Sequence, residues 1–125
     1  MKVLLIEDDK LLRDLLAKKL INNGYVVETA ADGEDGMKAM RLNTPNLVLL
    51  DIIMPRKSGF EVMKEMRADE MLKDIPIIIV SNSGQPVELD KAKEMGVIDW
   101  IIKTEFNPQE VLQKVKKIEQ ELFKN

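Results

Sequence analysis

The chain contains no cysteine and no histidine. Without cysteine there is no disulfide, no thiolate nucleophile and no Cys-ligated zinc or iron–sulfur cluster, a pattern that fits a reducing compartment. Without histidine there is no Ser-His-Asp triad, no His-ligated metal and no phosphohistidine on this chain. Any chemistry must come from carboxylates, hydroxyls, amides or lysine. Long hydrophobic runs are missing as well. The longest, Ile75 to Val80 even with Pro76 counted, falls far short of a membrane span. The opening Met1-Lys2-Val3-Leu4-Leu5-Ile6 reaches Glu7, Asp8 and Asp9 at once and lacks a small-residue cleavage site, so it reads as a cytoplasmic strand rather than a signal peptide. Excess positive charge is also lacking: 19 Lys and Arg face 22 Asp and Glu, a net charge of −3. Lys114, Lys116 and Lys117 sit among Glu110, Glu119 and Glu121 as a solvated helix face, which speaks against direct nucleic-acid binding.

What is present is a globular composition, with 45% hydrophobic and 33% charged residues over 125 positions. That length predicts one domain over 1–125, able to bury roughly two thirds of its unfolded surface without staples. Nothing follows the last predicted helix, so no second domain is expected. Short apolar runs recur at Val3–Ile6, Tyr25–Val27, Leu47–Leu50, Ile77–Val80 and Val97–Ile102. Four are nearly continuous, as in strands covered on both faces of a parallel sheet. The Tyr25 run is shorter and leads into Glu28 and Thr29, as an edge strand would.

Helical patterns alternate with these runs. Leu11, Leu12, Leu15, Leu16 and Leu20 form one stripe that stops at Asn22-Asn23-Gly24. Further helices are predicted over Gly33–Leu42, Gly59–Met71 and Val87–Met95. A last one carries Val111, Leu112, Val115, Ile118 and Leu122 behind an Asn107 cap and Pro108. Met37, Met40, Met63, Met66, Met71 and Met95 read as packing material. The order βαβαβαβαβα implies right-handed crossovers and a doubly wound α/β sheet.

In such a sheet the carboxyl ends of the strands meet on one edge, where ligands bind. Those ends carry Glu7-Asp8-Asp9, Asp51, Ser81-Asn82 and Lys103-Thr104. Glu7, Asp8 and Asp51 together carry −3 and need compensation. A divalent cation with Lys103 supplies it, and all-oxygen donors select Mg²⁺, Mn²⁺ or Ca²⁺ over zinc. One acid is then free to attack phosphorus and form an acyl phosphate, with the metal and lysine neutralising the transferring group. Asp9 reads as a helix cap.

Four segments together, Leu4-Leu5-Ile6-Glu7-Asp8-Asp9, Leu49-Leu50-Asp51-Ile52-Ile53-Met54-Pro55 with Ser58-Gly59, Ile78-Ile79-Val80-Ser81 and Trp100-Ile101-Ile102-Lys103, make the chain resemble a bacterial two-component response-regulator receiver domain of the stand-alone, chemotaxis-regulator type along its whole length. The resemblance implies a flavodoxin-like fold of five parallel strands in order 2-1-3-4-5 flanked by five helices. It implies that Asp51 is the phosphoacceptor, forming 4-aspartylphosphate. Glu7, Asp8, Asp51 and the Ile53 backbone carbonyl would hold Mg²⁺, or Mn²⁺ in its place. Ser81 would be the switch hydroxyl, Lys103 the active-site lysine and Trp100 the switch aromatic. The implied donor is a sensor histidine kinase or histidine phosphotransfer protein, and the output is a downstream protein or a second copy meeting the face of helix 4, strand 5 and helix 5. No membrane partner is expected, and the domain is expected to catalyse only its own phosphorylation and dephosphorylation.

Three positions depart from the family pattern. Thr104 replaces the usual proline after the lysine, Asn82 replaces a small residue after the switch hydroxyl, and Ile53 replaces a frequently polar residue two beyond the phosphoacceptor. The last two should alter phosphoryl lifetime. A cis Lys103–Thr104 bond is expected here, because the family aims its lysine with a cis proline and surroundings can impose the cost. Two other functions share the fold or the family: a flavodoxin-like nucleotide binder and a degenerate receiver acting only as a binding module. The acidic first loop would repel a flavin phosphate, and the intact Glu7, Asp8, Asp51 and Lys103 argue against degeneracy.

Overall fold

The computed structural model describes residues 1–82, 86–104 and 107–124. Its elements run β1 (Lys2–Ile6), α1 (Lys10–Ile21), β2 (Val26–Ala30), α2 (Gly33–Leu42), β3 (Leu47–Leu50), α3 (Gly59–Ala68), β4 (Ile77–Ser81), α4 (Pro86–Glu94), β5 (Asp99–Ile102) and α5 (Pro108–Leu122). The strands form one parallel sheet in the order β2-β1-β3-β4-β5. This is the doubly wound sheet expected from the alternating pattern, with the flavodoxin-like strand order that the family resemblance implies.

The continuous apolar runs of β1, β3 and β4 are buried on both faces. Alternation along each strand sends Leu4, Ile6, Val48, Leu50, Ile77 and Ile79 to one side, against Met37 and Met40 of α2 and Val62, Met63 and Met66 of α3. Val3, Leu5, Leu47, Leu49, Ile78 and Val80 go to the other, against Leu16 and Leu20 of α1 and Val111, Leu112 and Val115 of α5. Four helices open with a side-chain cap on the third helical amide: Asp9, Asp32, Ser58 and Asn107 accept from Leu12, Asp35, Glu61 and Glu110. Pro108 takes the first turn of α5. Gly24, with φ +93°, makes the left-handed exit from α1 that a Cβ would oppose.

Several expectations need correction. Leu11 and Leu15 are exposed, at 84% and 51%. They form an i, i+4 row one residue round from Leu16 and Leu20, and only the latter row meets the sheet. Helix α3 stops at Ala68 rather than Met71, because the Asp69 carboxylate accepts from the Met71 amide at 2.8 Å and turns the chain. Met71 is consequently exposed and Leu72 takes the buried place. Strand β5 begins at Asp99 rather than Val97 and is half-buried, because it is the second edge of the sheet. The Lys103–Thr104 bond is not cis, since no cis peptide occurs among the described residues. Lys103 is instead aimed by its own backbone: its amide donates to the Ser81 carbonyl at 2.7 Å, extending the β5–β4 ladder by one residue.

Candidate functional site

The parallel register carries four chemistry-bearing residues to one edge. Ile6 pairs with Leu50, Leu50 with Ile79 and Ser81 with Ile102. Glu7, Asp51 and Lys103 therefore step off β1, β3 and β5 side by side, with Ser81 as the last residue of β4. Backbone bonds continue past the strands and hold these positions: the Asp51 amide donates to the Ile6 carbonyl at 3.0 Å and the Glu7 amide to the Ala30 carbonyl at 3.0 Å. The loop leaving Asp51 passes so close to α3 that a Cβ on Gly59 would meet the Asp51 carbonyl oxygen, and would lie 2.8 Å from Ile52 Cα.

Glu7, Asp51 and Ser81 are buried polar residues, at 1%, 3% and 1% exposure. Lys103 Nζ lies 2.8 Å from Asp51 Oδ2 and straddles Glu7, 2.8 Å from Oε1 and 2.9 Å from Oε2. The ammonium donates hydrogen bonds to Asp51 Oδ2 and, of the two Glu7 oxygens, to Oε2, which also accepts from the Asp9 amide at 3.0 Å. Glu7 Oε1 is in ion-pair contact but receives no directed donor among the described residues. Burial pushes the Glu7 carboxyl up to about 7, with the neighbouring Asp51 charge adding to the rise against the pull of Lys103. Burial raises Asp51 too, while Lys103 pulls it back toward the ionised form. Burial alone would lower Lys103, but Asp51 and Glu7 outweigh it and raise its pKa. The lysine is a fixed cation between two acids.

Asp8 is exposed and completes the cluster: one oxygen from each of Glu7, Asp8 and Asp51 lies within 4.8 Å of the others. Two buried acids, a third at the surface and an undirected buried carboxylate oxygen suit a hard divalent cation, for which lysine alone leaves a net negative charge. Asp8, Asp9, Asp51, Ile53, Ser81, Asn82 and Lys103 line a cleft of about 280 Å³. The sequence places every one of these at a strand end except Ile53, which enters only through the family resemblance. Asp9 caps α1 as expected but also borders the cleft. Sequence reading missed Arg13, whose Nη1 donates to the Glu7 carbonyl at 2.8 Å from one turn into α1. Its i+6 spacing from Glu7 carries no pattern that would flag it.

Trp100 lies away from the cleft. It pairs with Ile79, two residues before Ser81, so it shares a sheet face with Ser81 and packs half-buried against the α2–α3 core. With Leu89, Ala92, Lys93, Val97, Ile98 and Asp99 it lines a second cleft of about 210 Å³ between α4 and β5. Among the described residues no helix is long and apolar enough to cross a membrane.

Comparison with known proteins bears out the fold. The family described as response regulator receiver domain matches residues 3–116. A probable transcriptional regulator, ycf27, of Cyanophora paradoxa is 35% identical over 94% of this chain and 47% of its own length. The alkaline phosphatase synthesis transcriptional regulatory protein PhoP of Bacillus subtilis is 32% identical over 94% of this chain and 48% of its own. The chain thus spans about half the length of these curated relatives. Among solved structures, the chemotaxis protein CheY4 of Vibrio cholerae superposes with a TM-score of 0.87 at 30% identity, covering 94% of this chain and 97% of that one.

Proposed function

This chain belongs to the response regulator receiver domain family, a family of signalling domains, and from that premise we propose that residues 1–125 work as one phosphoacceptor unit of a two-component relay. The observation that carries the reading is the buried Asp51 carboxylate held 2.8 Å from Lys103 Nζ at the floor of a cleft shared with Ser81. A carboxylate oxygen of Asp51 attacks the phosphorus of a phosphohistidine on a sensor kinase or phosphotransfer protein. The new O–P bond forms as the N–P bond breaks, its electron pair stays on the donor imidazole, and the product is an aspartyl phosphate. Lys103 pulls Asp51 toward the ionised form before attack, against the rise that burial imposes, and offsets charge on the phosphoryl oxygens afterwards. The Ser81 hydroxyl, which belongs to a residue lining the same cleft, donates to one of those oxygens.

Glu7, Asp8, Asp51 and the Ile53 carbonyl are the residues that would hold Mg²⁺, with Mn²⁺ as a substitute. When bound, the cation supplies the positive charge that the three acids and an incoming phosphoryl group require. Output follows from the shared sheet face of Ser81 and Trp100. A phosphoryl group on Asp51 draws Ser81 toward it, and the space vacated lets Trp100 repack, which reshapes the α4–β5–α5 face offered to a downstream protein or second copy. The domain acts in the cytoplasm, without direct contact to nucleic acid or membrane. The test is incubation with acetyl phosphate and Mg²⁺, followed by mass spectrometry. One phosphoryl group on Asp51, absent in Asp51→Asn, is expected; modification at another residue, or none, would overturn the proposal.

A further inference from the structure

The loop after β3 carries a feature that the phosphoryl chemistry leaves unused. Arg56 has φ +67° and is the one non-glycine residue with positive φ among the described residues. Across it, the Lys57 amide donates to the Pro55 carbonyl at 2.8 Å. A bond from residue i+2 back to residue i over a central residue of positive φ is the rarer, strained form of γ-turn. A residue with a Cβ is crowded there, and glycine would be relaxed.

The side chain of Arg56 supplies what its backbone lacks. Its Nη2 lies 2.9 Å from Asp32 Oδ2 and 3.1 Å from Oδ1, and 3.1 Å from Asp35 Oδ1. Asp32 is the cap of α2 and Asp35 lies in its first turn. The Asp32 side chain is only 13% exposed, so this half of the clasp is sheltered, whereas Arg56 and Asp35 are about half exposed. Lys57 reinforces it, 2.7 Å from Glu65 and 3.5 Å from Glu34. The turn also lies flush on the start of α2, where a Cβ on Gly33 would overlap the Lys57 carbonyl oxygen. The far end of the loop is tied by the Gly59 amide, which donates to the Ile52 carbonyl at 2.7 Å. Ile53 stands between these two anchors, one of them strained and held by charge.

We propose that Arg56 is a positioning residue for the phosphoacceptor site: its ion pairs with Asp32 and Asp35 hold the strained Pro55–Lys57 turn closed, and the closed turn sets the loop that presents Asp51 and the Ile53 carbonyl to the cleft. The inference rests on the phosphoacceptor reading for its consequence but not for the clasp itself. The turn is a two-state element. Clasped, the strain is offset; unclasped, the backbone at Arg56 relaxes and the loop loosens. Because half of the clasp faces solvent, salt weakens it.

The experiment compares Arg56→Ala, Arg56→Gly, Arg56→Lys and Asp32→Asn/Asp35→Asn, the last keeping the α2 cap while removing its charge. Two quantities are read on the whole chain: amide hydrogen exchange at Lys57 and Gly59 without any donor, and the rate of phosphoryl gain at Asp51 from acetyl phosphate. Arg56→Ala keeps the strain and loses the clasp, so Lys57 should exchange about tenfold faster and phosphorylation should slow by a similar factor. Arg56→Gly loses both strain and clasp and should return both readouts to within about twofold of wild type. Arg56→Lys should fall between, and the double Asn variant should match Arg56→Ala without adding to it. Salt at 1 M should move the wild type toward Arg56→Ala and leave Arg56→Gly unmoved. Equal behaviour of the Ala and Gly variants, or an unchanged Ala variant, would overturn the clasp. Wild-type protein that gains no phosphoryl group would overturn the phosphoacceptor reading and the positioning role with it, while the exchange pattern would still decide the clasp.

Discussion

Glu7 predicts that, without divalent cation, the folded protein loses stability as pH rises from mildly acidic to neutral. Burial lifts its carboxyl from 4.5 to about 7, while the unfolded chain keeps the ordinary value. Between those limits the folded state binds the proton more tightly, so it carries more protons than the unfolded chain and stability must fall with rising pH. The contribution is complete below pH 4.5 and is lost as pH passes through 7. At about 1.4 kcal/mol for each pH unit the span is worth about 3 kcal/mol, a large share of the stability of a domain this size. The raised Asp51 acts in the same direction. Urea unfolding of wild type and Glu7→Gln between pH 4.5 and 7.5 in chelator isolates the effect, because other groups titrate in both. The variant should gain on the wild type by about 3 kcal/mol across that range. Saturating Mg²⁺ at pH 7.5 should then stabilise the wild type more than the variant, since it binds the ionised carboxylate. A difference between the two proteins that stays flat, or that favours the wild type as pH rises, would refute the assignment of Glu7 as a buried, proton-retaining acid.

Lys103→Met strands Asp51 and Glu7 without their cation and should cost about 3–5 kcal/mol at pH 8. The cost should be clearly smaller at pH 5, where the raised carboxyls take up protons, and an equal loss at both pH values in urea melts would contradict the pairing. Asp9→Ala removes the α1 cap on the Leu12 amide and should lower stability by about 1 kcal/mol, seen as a drop of about 3–5 °C in the thermal midpoint. Gly59→Ala drives a Cβ into the Asp51 carbonyl and the Ile52 backbone, at about 1–3 kcal/mol. Phosphorylation of the folded fraction, followed by mass spectrometry, should fall as well, because the displaced backbone carries Asp51. Trp100 is the only tryptophan, so its emission and quencher access should change on saturation with beryllofluoride and change less in Ser81→Ala; identical signals would reject the switch.

Much of the site was legible because it depends on strand ends. Runs such as Leu47–Leu50 show where a buried strand stops, and in a parallel sheet all the stops meet on one edge. Glu7, Asp8, Asp51, Ser81 and Lys103 could be assembled on that argument without coordinates. The width of a buried stripe was not legible: Leu11 and Leu15 have the spacing of core residues, and only the actual packing of α1 on the sheet leaves them outside. The expected cis bond before Thr104 failed for a similar reason. It assumed that local geometry aims the lysine, whereas the ladder bond to Ser81 and the four-carbon stem of Lys103 do so.

The amino-acid pattern by itself determined the alternation of strands and helices, the caps at Asp9 and Asn107, and the gathering of acids, hydroxyl and lysine at one edge. These follow from interactions within a few residues and from the one topology that alternating units favour. Tertiary structure decided which acid was buried deeply enough to hold its proton near neutrality, how one ammonium is shared between Glu7 and Asp51, and how the left-handed Arg56 is held by charges 24 and 21 residues away. Each of those depends on desolvation or on partners distant along the chain, and neither is written in local sequence.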